Sequence, residues 1–268
     1  MYYAAKGKYS GETDIEQGLF FAYSNDAIHW KRETPDGKSN ILLPRGIQEQ
    51  SVFMMETDKI YPFRLIANIK EDNKYKLCMW KSKNGYDFDF DDKTVLLDDR
   101  LHDTQNIIVP RENSLFLYTR LWNKPATDRR NAIAKFSIDG KLESAVDTLA
   151  GNYLYNAAAS YVNKQYDLLQ PTYMNNKEGD NPSDNAFFKA FLNEPGKGNC
   201  VEIDTNLNQW LKPDEKWMIV APGIIDIKGE KYIAYYAWNR SHDGSWPTQG
   251  ISRYYLIRMG LYINGKKI

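Results

Sequence analysis

Several features that identify common classes of protein are scarce in this sequence. Its 268 residues include two cysteines and three histidines, which do not have the spacing of a structural metal site. No apolar run is long enough to span a bilayer, and strand-like sequence starts at Tyr2 with no signal peptide before it. The 35 basic and 35 acidic residues are well mixed. This balance argues against a nucleic-acid or membrane partner and favours a neutral, polar ligand.

The two cysteines and the start of the chain leave alternatives open. Cys78 lies in the apolar run 75–80 and is predicted to be a small core residue, although a disulfide with Cys200 is not excluded by the sequence. The protein is expected outside the cytoplasm if sequence is missing before Met1, and in the cytoplasm otherwise. We expect a monomer or a weak oligomer.

Aromatic residues are abundant, at 14% of the chain. They suit half-buried strands and also form platforms for sugar rings. Helix-period patterns are rare, whereas short apolar runs bounded by Gly, Asn, Asp and Lys are frequent and predict strands. The clearest runs are 18–24, 63–67, 115–119 and 231–236.

One short phrase recurs after successive strands, at intervals of roughly 55–70 residues, a spacing that suits a four-stranded blade with loops. Each copy contains a polar turn followed by an aromatic or large apolar residue, which is predicted to fold back onto the blade. The copies are Ser24–Trp30, Ser82–Phe88, Ser137–Leu142 and Asp204–Trp210.

A second element, a polar residue followed by a short apolar strand, opens each unit. Its copies are 49–53, 103–109, 155–159 and 221–225. With the unit at 2–30 they make five, and the sequence therefore predicts an all-β, five-bladed β-propeller as one domain over residues 1–268. The opening strands of propeller blades line the central channel, so their polar residues are predicted to converge at one mouth.

These phrases resemble the five-bladed propeller clan of glycoside hydrolase families 43, 32 and 68, and most of all its uncharacterised bacterial members. The segments that carry the resemblance are 24–30, 49–53, 103–106, 118–122 and 153–156. The resemblance implies three carboxyl groups on the channel strands of the first three blades: a base or nucleophile, a group that tunes pKa, and a general acid. Glycosidic cleavage needs this division between protonated and ionised carboxyls.

The resemblance assigns two catalytic candidates, Asp103 and Glu49, one as the acid and the other as the pKa tuner, with the roles left open. The alternatives are a turn-capping Asp and a solvated Glu. The first unit begins at Tyr2 as the second strand of a blade, so that the strand expected to hold the base is missing. Either the sequence begins inside the first blade, or the protein lacks the base.

Further polar and aromatic residues are expected to bind sugar. Arg120 suits a hydroxyl or carboxylate, Trp122 suits ring stacking, and the long loop 238–246 at the fifth blade resembles a region where relatives place a histidine, sometimes beside calcium. No cofactor is expected, apart from the option of a structural calcium in the channel. The expected ligand-binding residues are Asn106, Arg120, Trp122, Asn156, Trp238 and His242.

Two functions are compatible with these features. The first is a glycoside hydrolase that acts on arabinose-, xylose- or fructose-type oligosaccharides. The second is a non-catalytic propeller that binds sugar and has lost the catalytic base. A WD or kelch interaction propeller is disfavoured, because the WD dipeptide and Gly-Gly pairs are absent and the period is too long.

Overall fold

The computed structural model describes sixteen segments of the chain. These are residues 1–7, 15–26, 28–37, 41–43, 48–71, 74–98, 107–121, 130–144, 147–148, 158–162, 166–170, 190–194, 200–210, 219–238, 252–263 and 266–267.

These segments form twenty β-strands and one short 3-10 helix, with no α-helix in the part of the chain that is described. In chain order the strands are β1 (Tyr2–Gly7), β2 (Ile15–Phe21), β3 (Ile41–Leu43), β4 (Gln48–Met54), β5 (Phe63–Glu71), β6 (Lys74–Ser82), β7 (Lys93–Asp98), β8 (Ile107–Arg111), β9 (Ser114–Leu121), β10 (Arg130–Ser137), β11 (Asp147–Thr148), β12 (Ala158–Tyr161), β13 (Asp167–Gln170), β14 (Ala190–Asn193), β15 (Cys200–Thr205), β16 (Ile219–Ile227), β17 (Glu230–Trp238), β18 (Ser252–Arg258), β19 (Leu261–Ile263) and β20 (Lys266–Lys267). The 3-10 helix is Leu207–Trp210.

Five sheets are described, in chain order one for each predicted unit. Their strand orders are β1-β2-β3, β4-β5-β6-β7, β11-β10-β9-β8, β12-β13-β14-β15-β19-β20 and β16-β17-β18. The all-β class and the strands predicted at 18–24, 63–67, 115–119 and 231–236 are confirmed. The arrangement of the sheets as five blades around one channel stays a prediction.

The second sheet shows how apolar sequence produces these strands. β5 and β6 pair over nine positions, from Phe63 opposite Ser82 to Glu71 opposite Lys74. Residues 65–69 of β5 are buried on both faces of the strand, which explains their nearly continuous apolar sequence in place of an alternating pattern. β5 is therefore an interior strand, covered on both sides.

The chain divides into two compact units, each with its own apolar core. One unit comprises residues 1–115 and 135–143, and the other comprises 116–134 and 144–268. The core of the first is formed by Leu19, Phe21, Leu42, Leu65, Ala67, Ile69, Cys78, Trp80 and Phe88. The core of the second is formed by Leu168, Ala190, Leu192, Ile203, Leu207, Ile233, Met259 and Leu261.

The recurring phrase forms the same hydrogen-bonded turn in its first two copies. Asp26 Oδ1 accepts from the backbone N–H groups of Ile28 and His29 at 2.9 and 2.8 Å. In the second copy, Asn84 Oδ1 accepts from those of residues 86 and 87 at 3.1 and 2.9 Å. The leading serine, Ser24 or Ser82, accepts from the N–H two residues later. Side chains that bond the backbone in this way fix a turn without sheet partners.

The third and fourth copies of the phrase differ from the first two. Ser137 Oγ accepts from the backbone N–H of Lys141 at 3.1 Å, and Gly140 has the positive φ that Gly85 shows at the same position of the second copy. The fourth copy follows the fourth strand of its sheet and continues into the 3-10 helix, whereas the second and third copies follow the third strand.

One expectation for the phrase is wrong at its first and third copies. Phe88 ends the second copy and is buried in the core, as expected. Trp30 ends the first copy and is 43% exposed, and Leu142 ends the third copy and is 44% exposed, so neither folds back into the core. The residue after Trp30, Lys31, pairs with Tyr23 across an isolated bridge, and this bridge joins the two ends of the first copy of the phrase.

The first sheet has three described strands and the fourth has six, so neither has the four strands of the second and third sheets. The phrase follows β2 in the first sheet and β6 in the second, so β1, β2 and β3 correspond to β5, β6 and β7. No described strand of the first sheet corresponds to β4, as the sequence predicted. β19 pairs with β15 through Asp204–Tyr262 and Thr205–Leu261, and thereby extends the fourth sheet.

Candidate functional site

The candidate residue Glu49 lies in a β-bulge of β4. Gln48 pairs with Asn68 and Ser51 pairs with Ile66, so Glu49 and Gln50 together face the single residue Ala67 of β5. A bulge of this kind adds one residue to a strand, bends it and changes the direction of nearby side chains, and bulges are over-represented beside active sites. The backbone of β4 thus departs from regular pairing at Glu49, the residue that was predicted from the sequence as a catalytic candidate.

Polar side chains accompany the bulge in an otherwise apolar region. Asn68, opposite Gln48, is buried, and its neighbours Ala67 and Ile69 belong to the core of the first unit. Gln50 is half-buried, and its Oε1 atom has no solvent contact and no hydrogen-bond partner in the structure as described. Two amide side chains therefore lie at the end of β4 and β5 where Glu49 is located.

A second bulge lies in β16 of the other unit, at the start of the predicted opening segment 221–225. Val220 pairs with Tyr236 and Gly223 pairs with Ala234, so Ala221 and Pro222 together face Tyr235. Proline has no backbone N–H to give to a ladder, and bulges are among the few places where a strand accommodates it. Two of the four opening segments found in the sequence are thus irregular at their polar or proline-containing start.

The other predicted site residues are placed only in part. Arg120 lies in β9 and Trp238 is the last residue of β17, and the structure describes only their backbone. Five further candidates lie outside the described residues: Asp103, Asn106, Trp122, Asn156 and His242. Their roles, and their distances from Glu49, stay predictions.

A buried polar network lies just before Arg120 in β9. Tyr118 Oη donates to Asp167 Oδ2 at 2.5 Å and accepts from Asn193 Nδ2 at 3.1 Å. All three residues are buried, and they join β9 to the ends of β13 and β14. Because a buried polar group needs its partners, this network fixes the path of β9 two residues from Arg120. Asp167 was not identified from the sequence, although a single Asp directly before Leu168 and Leu169 was a usable indication.

Other charged groups in the first unit are occupied in structural contacts. The backbone N–H of Tyr61 and the guanidinium of Arg64 lower the pKa of Asp58 to about 2. Hydrogen bonds from Lys93 and Lys76 lower the pKa of Glu71. These carboxylates stay ionised near neutral pH, and their positive partners hold them in place. Neither has the raised pKa that a general acid requires.

Clusters of metal ligands and reactive cysteine thiols are two further possible sources of chemistry. No group of three or more His, Cys, Asp or Glu side chains suited to a metal ion occurs within the described ranges. The calcium option is not tested by this result, because His242 lies outside those ranges. Cys78 is a buried free thiol, and burial raises its pKa to about 11. The prediction that Cys78 is a small core residue is thus confirmed, and Cys78 forms no disulfide with Cys200.

No helix in the described part is long and apolar enough to cross a membrane.

Comparison with solved structures identifies proteins of the same fold. A thermostable family-43 glycoside hydrolase has a TM-score of 0.58 at 9% identity, with 93% of this chain and 84% of that chain covered. An endo-1,4-β-xylanase from Bacteroides thetaiotaomicron has a TM-score of 0.56 at 14% identity, covering 96% and 92%. The β-fructofuranosidase of Bombyx mori, of family 32, has a TM-score of 0.55 at 11% identity, covering 93% of this chain and 57% of that one.

No protein-family model and no curated protein matches the sequence. At 9–14% identity the structural likeness shows the fold alone. It confirms that the chain has the fold found in glycoside hydrolase families 43 and 32, as the recurring phrases predicted. It does not assign a reaction or a sugar.

Proposed function

We propose that the protein is a glycoside hydrolase that acts on oligosaccharides of the arabinose, xylose or fructose type. The observation that carries the proposal is the fold, which nearly the whole chain shares with hydrolases of families 43 and 32. A fold alone hosts many functions. The proposal therefore also depends on the site, where a carboxylate candidate coincides with a backbone irregularity in β4.

Glu49 and Asp103 are the proposed catalytic carboxyl groups. Glu49 is in the bulge of β4, opposite Ala67, and Asp103 precedes β8, the first strand of the third sheet. Each thus belongs to the opening segment of its sheet. Hydrolysis of a glycoside needs one protonated carboxyl to donate to the leaving oxygen and one ionised carboxylate to activate water or attack the anomeric carbon. Carboxyls held close together divide into these two states, because ionisation of one raises the pKa of the other.

The neutral, polar character of the expected ligand agrees with the charge of the chain. Equal numbers of acidic and basic residues give no overall field to attract a polyanion or a polycation. The structural neighbours include a β-xylosidase and a sucrose-6-phosphate hydrolase. Pentose- and fructose-containing oligosaccharides are therefore the first compounds to test.

A sugar-binding propeller without catalytic activity is the second candidate. It shares the fold and the expected sugar ligand of the first candidate, because a fold alone does not assign a reaction. A protein without the base retains a sugar-shaped site and loses turnover.

Chromogenic substrates separate the two candidates. The wild-type protein and the variants Asp103→Asn and Glu49→Gln are assayed with 4-nitrophenyl α-L-arabinofuranoside, 4-nitrophenyl β-xyloside and a fructoside. We expect turnover of at least one substrate, with kcat lowered about 100-fold or more in each variant, since a catalytic acid or base contributes on that order. Asp139→Asn is the matched control, because Asp139 is an exposed carboxylate in a turn and bonds only Lys81 among the described residues.

Each outcome bears on a specific part of the proposal. Undiminished turnover in Asp103→Asn or Glu49→Gln removes that residue from catalysis. Absence of turnover together with sugar binding measured by calorimetry supports the second candidate. Absence of both turnover and binding contradicts both candidates.

A further inference from the structure

The amide oxygen of Gln50 is one of three buried polar side-chain atoms in the first unit that have no hydrogen-bond partner in the structure as described. This Oε1 atom lies out of contact with solvent and accepts no hydrogen bond there. Buried polar atoms are almost always bonded, because an acceptor that loses water without gaining a donor is unfavourable. A native protein that retains such an atom usually has a reason beyond packing, so Gln50 calls for an explanation.

The position of Gln50 connects it to the candidate site. It is the second residue of the bulge, directly after Glu49 and opposite Ala67. A bulge leaves one residue outside the regular ladder and redirects side chains. Asn68, a buried amide, occupies the neighbouring position of β5. Gln50 Oε1 thus lies at the irregular, polar end of β4 and not in the apolar middle of the strand.

The side chain of Gln50 also has the freedom to meet a ligand. The residue is half-buried and not enclosed. The terminal torsion of glutamine is broad and roughly two-fold, so the amide turns at little cost. Because Oε1 has no solvent contact in the free protein, a ligand bonds it only after the amide turns outward, and the ligand then supplies the donor that Oε1 lacks.

We propose that Gln50 accepts a hydrogen bond from a sugar hydroxyl and is a ligand-binding residue beside Glu49. The inference rests on the proposed function and adds a residue that determines which ligand binds. The amide offers one acceptor and, on its nitrogen, two donors. Neighbouring hydroxyls of a sugar ring both donate and accept, so they match this pair. An uncharged amide also selects a neutral ring over an ionic ligand.

The variant Gln50→Met tests the inference, because methionine has a similar length and no hydrogen-bonding amide. If Oε1 is unsatisfied in the free protein, the variant keeps or raises the melting temperature. Binding of arabinohexaose, xylohexaose and sucrose is measured by calorimetry. We expect the affinity for the sugar that the wild-type protein binds to fall about tenfold, the effect of a lost hydrogen bond in a site. Gln209→Met is the control, since Gln209 is exposed in the 3-10 helix of the other unit.

The combination of stability and affinity distinguishes the outcomes. Unchanged affinity in Gln50→Met overturns the inference, whatever happens to the melting temperature. A lower melting temperature or loss of folding also overturns it, because the amide then has a partner in the free protein. If the wild-type protein binds none of the three sugars, the proposed function fails and this inference fails with it. If the wild-type protein binds and Gln50→Met binds equally well, this inference alone fails.

Discussion

The ion pair between Arg64 and Asp58 offers a direct test of how the first unit is held together. Arg64 is completely buried, and its Nη2 donates to Asp58 Oδ2 at 2.6 Å. Its Nε also donates to the carbonyl of Ile138 at 3.3 Å, and its Nη1 donates to the carbonyls of Tyr61 and Phe63. The guanidinium thus joins β5 to the turn before it and to the turn after β10.

Because the two partners are buried to different extents, substituting Asp58 and substituting Arg64 should lower the free energy of unfolding by different amounts. The side chain of Asp58 keeps 16% of its exposure, whereas that of Arg64 has none. Asp58→Asn keeps the size of the side chain but places a donor NH2 group where one carboxylate oxygen accepts a hydrogen bond, and it leaves a buried cation without a counter-charge. Together these changes cost about 3–5 kcal/mol. Arg64→Met removes the donor of three carbonyl groups but leaves no unpaired charge in the interior, since the carboxylate still reaches water and two backbone N–H groups. We expect it to cost about 2–3 kcal/mol. The order of the two costs is the structural prediction.

The same pair predicts a dependence of stability on pH. The pKa of Asp58 is lowered from 3.8 to about 2, so its contribution to stability is fully present above the unfolded-state pKa and is lost as the pH falls through about 2. The shift corresponds to about 2.4 kcal/mol at 1.36 kcal/mol per pKa unit. Solvent screening at a partly exposed carboxylate reduces it to about 1–2 kcal/mol. Asp58→Asn removes this component.

Urea unfolding followed by circular dichroism, at pH 7 and pH 3, measures both effects. Asp139→Asn is the control, because Asp139 is an exposed carboxylate paired with Lys81, and its loss should change the unfolding free energy by less than about 1 kcal/mol. The reasoning is refuted if Asp58→Asn costs no more than this control. It is also refuted if Arg64→Met costs more than Asp58→Asn, or if wild type and Asp58→Asn lose stability equally between pH 7 and pH 3.

Three further predictions concern residues away from the bulge. Gly85→Ala should destabilise the protein by about 2 kcal/mol or more in thermal unfolding, because φ is +83° and an added Cβ meets Tyr2 Oη at 2.8 Å. Gly37→Ala is the control and should cost only about 1 kcal/mol, because φ is +75° but the space around the added Cβ is open. Equal costs for the two variants would contradict the clash at Gly85. Cys78 should resist a thiol reagent at pH 8 until urea unfolds the protein, since burial raises its pKa to about 11; rapid labelling of the folded protein would show the burial to be wrong. Tyr118→Phe should cost about 1–3 kcal/mol, because it removes the hydroxyl that bonds Asp167 and Asn193; a cost near zero would show that the network does not stabilise the fold.

Local features of the fold were predictable from the sequence because short-range chemistry determines them. Ser24 and Asp26, and then Ser82 and Asn84, bond the backbone within their own turns, so the repeat of residue types reproduces the repeat of structure. The hairpin at Lys228–Gly229 is a similar case: both residues have positive φ, as a tight two-residue turn requires. No distant partner is needed for either feature.

Features that depend on distant partners were not predictable. β19 pairs with β15 across more than fifty residues of sequence. The three residues Leu261–Ile263 carry no sequence pattern that indicates which strand they pair with. Arg64 occupies an apolar core strand, where arginine is rare, and its burial became evident only with Asp58 and Ile138 in place. Trp30 and Leu142 were expected to pack inward like Phe88, but the residue type alone does not determine exposure.

The structure adds one backbone observation at the candidate site, and the roles of Glu49 and the other site residues stay predictions. The polar phrase at 49–53 selected Glu49, and the structure places a bulge there. The sequence did not reveal that Gln50 has an unsatisfied amide oxygen, because burial and hydrogen bonding depend on the surrounding strands. Asp103 was selected by the same kind of phrase, and its role remains a prediction.

Release of sugar from oligosaccharides is the most direct test of the proposed hydrolase. Arabinohexaose, xylohexaose and sucrose are incubated with the wild-type protein and with Glu49→Gln, and the products are separated by anion-exchange chromatography. We predict shorter sugars from at least one of the three substrates with the wild-type protein, at a rate about 100-fold or more above that of Glu49→Gln. Intact substrates with the wild-type protein, or equal product from both proteins, would contradict the assignment of Glu49 as a catalytic carboxylate of a glycoside hydrolase.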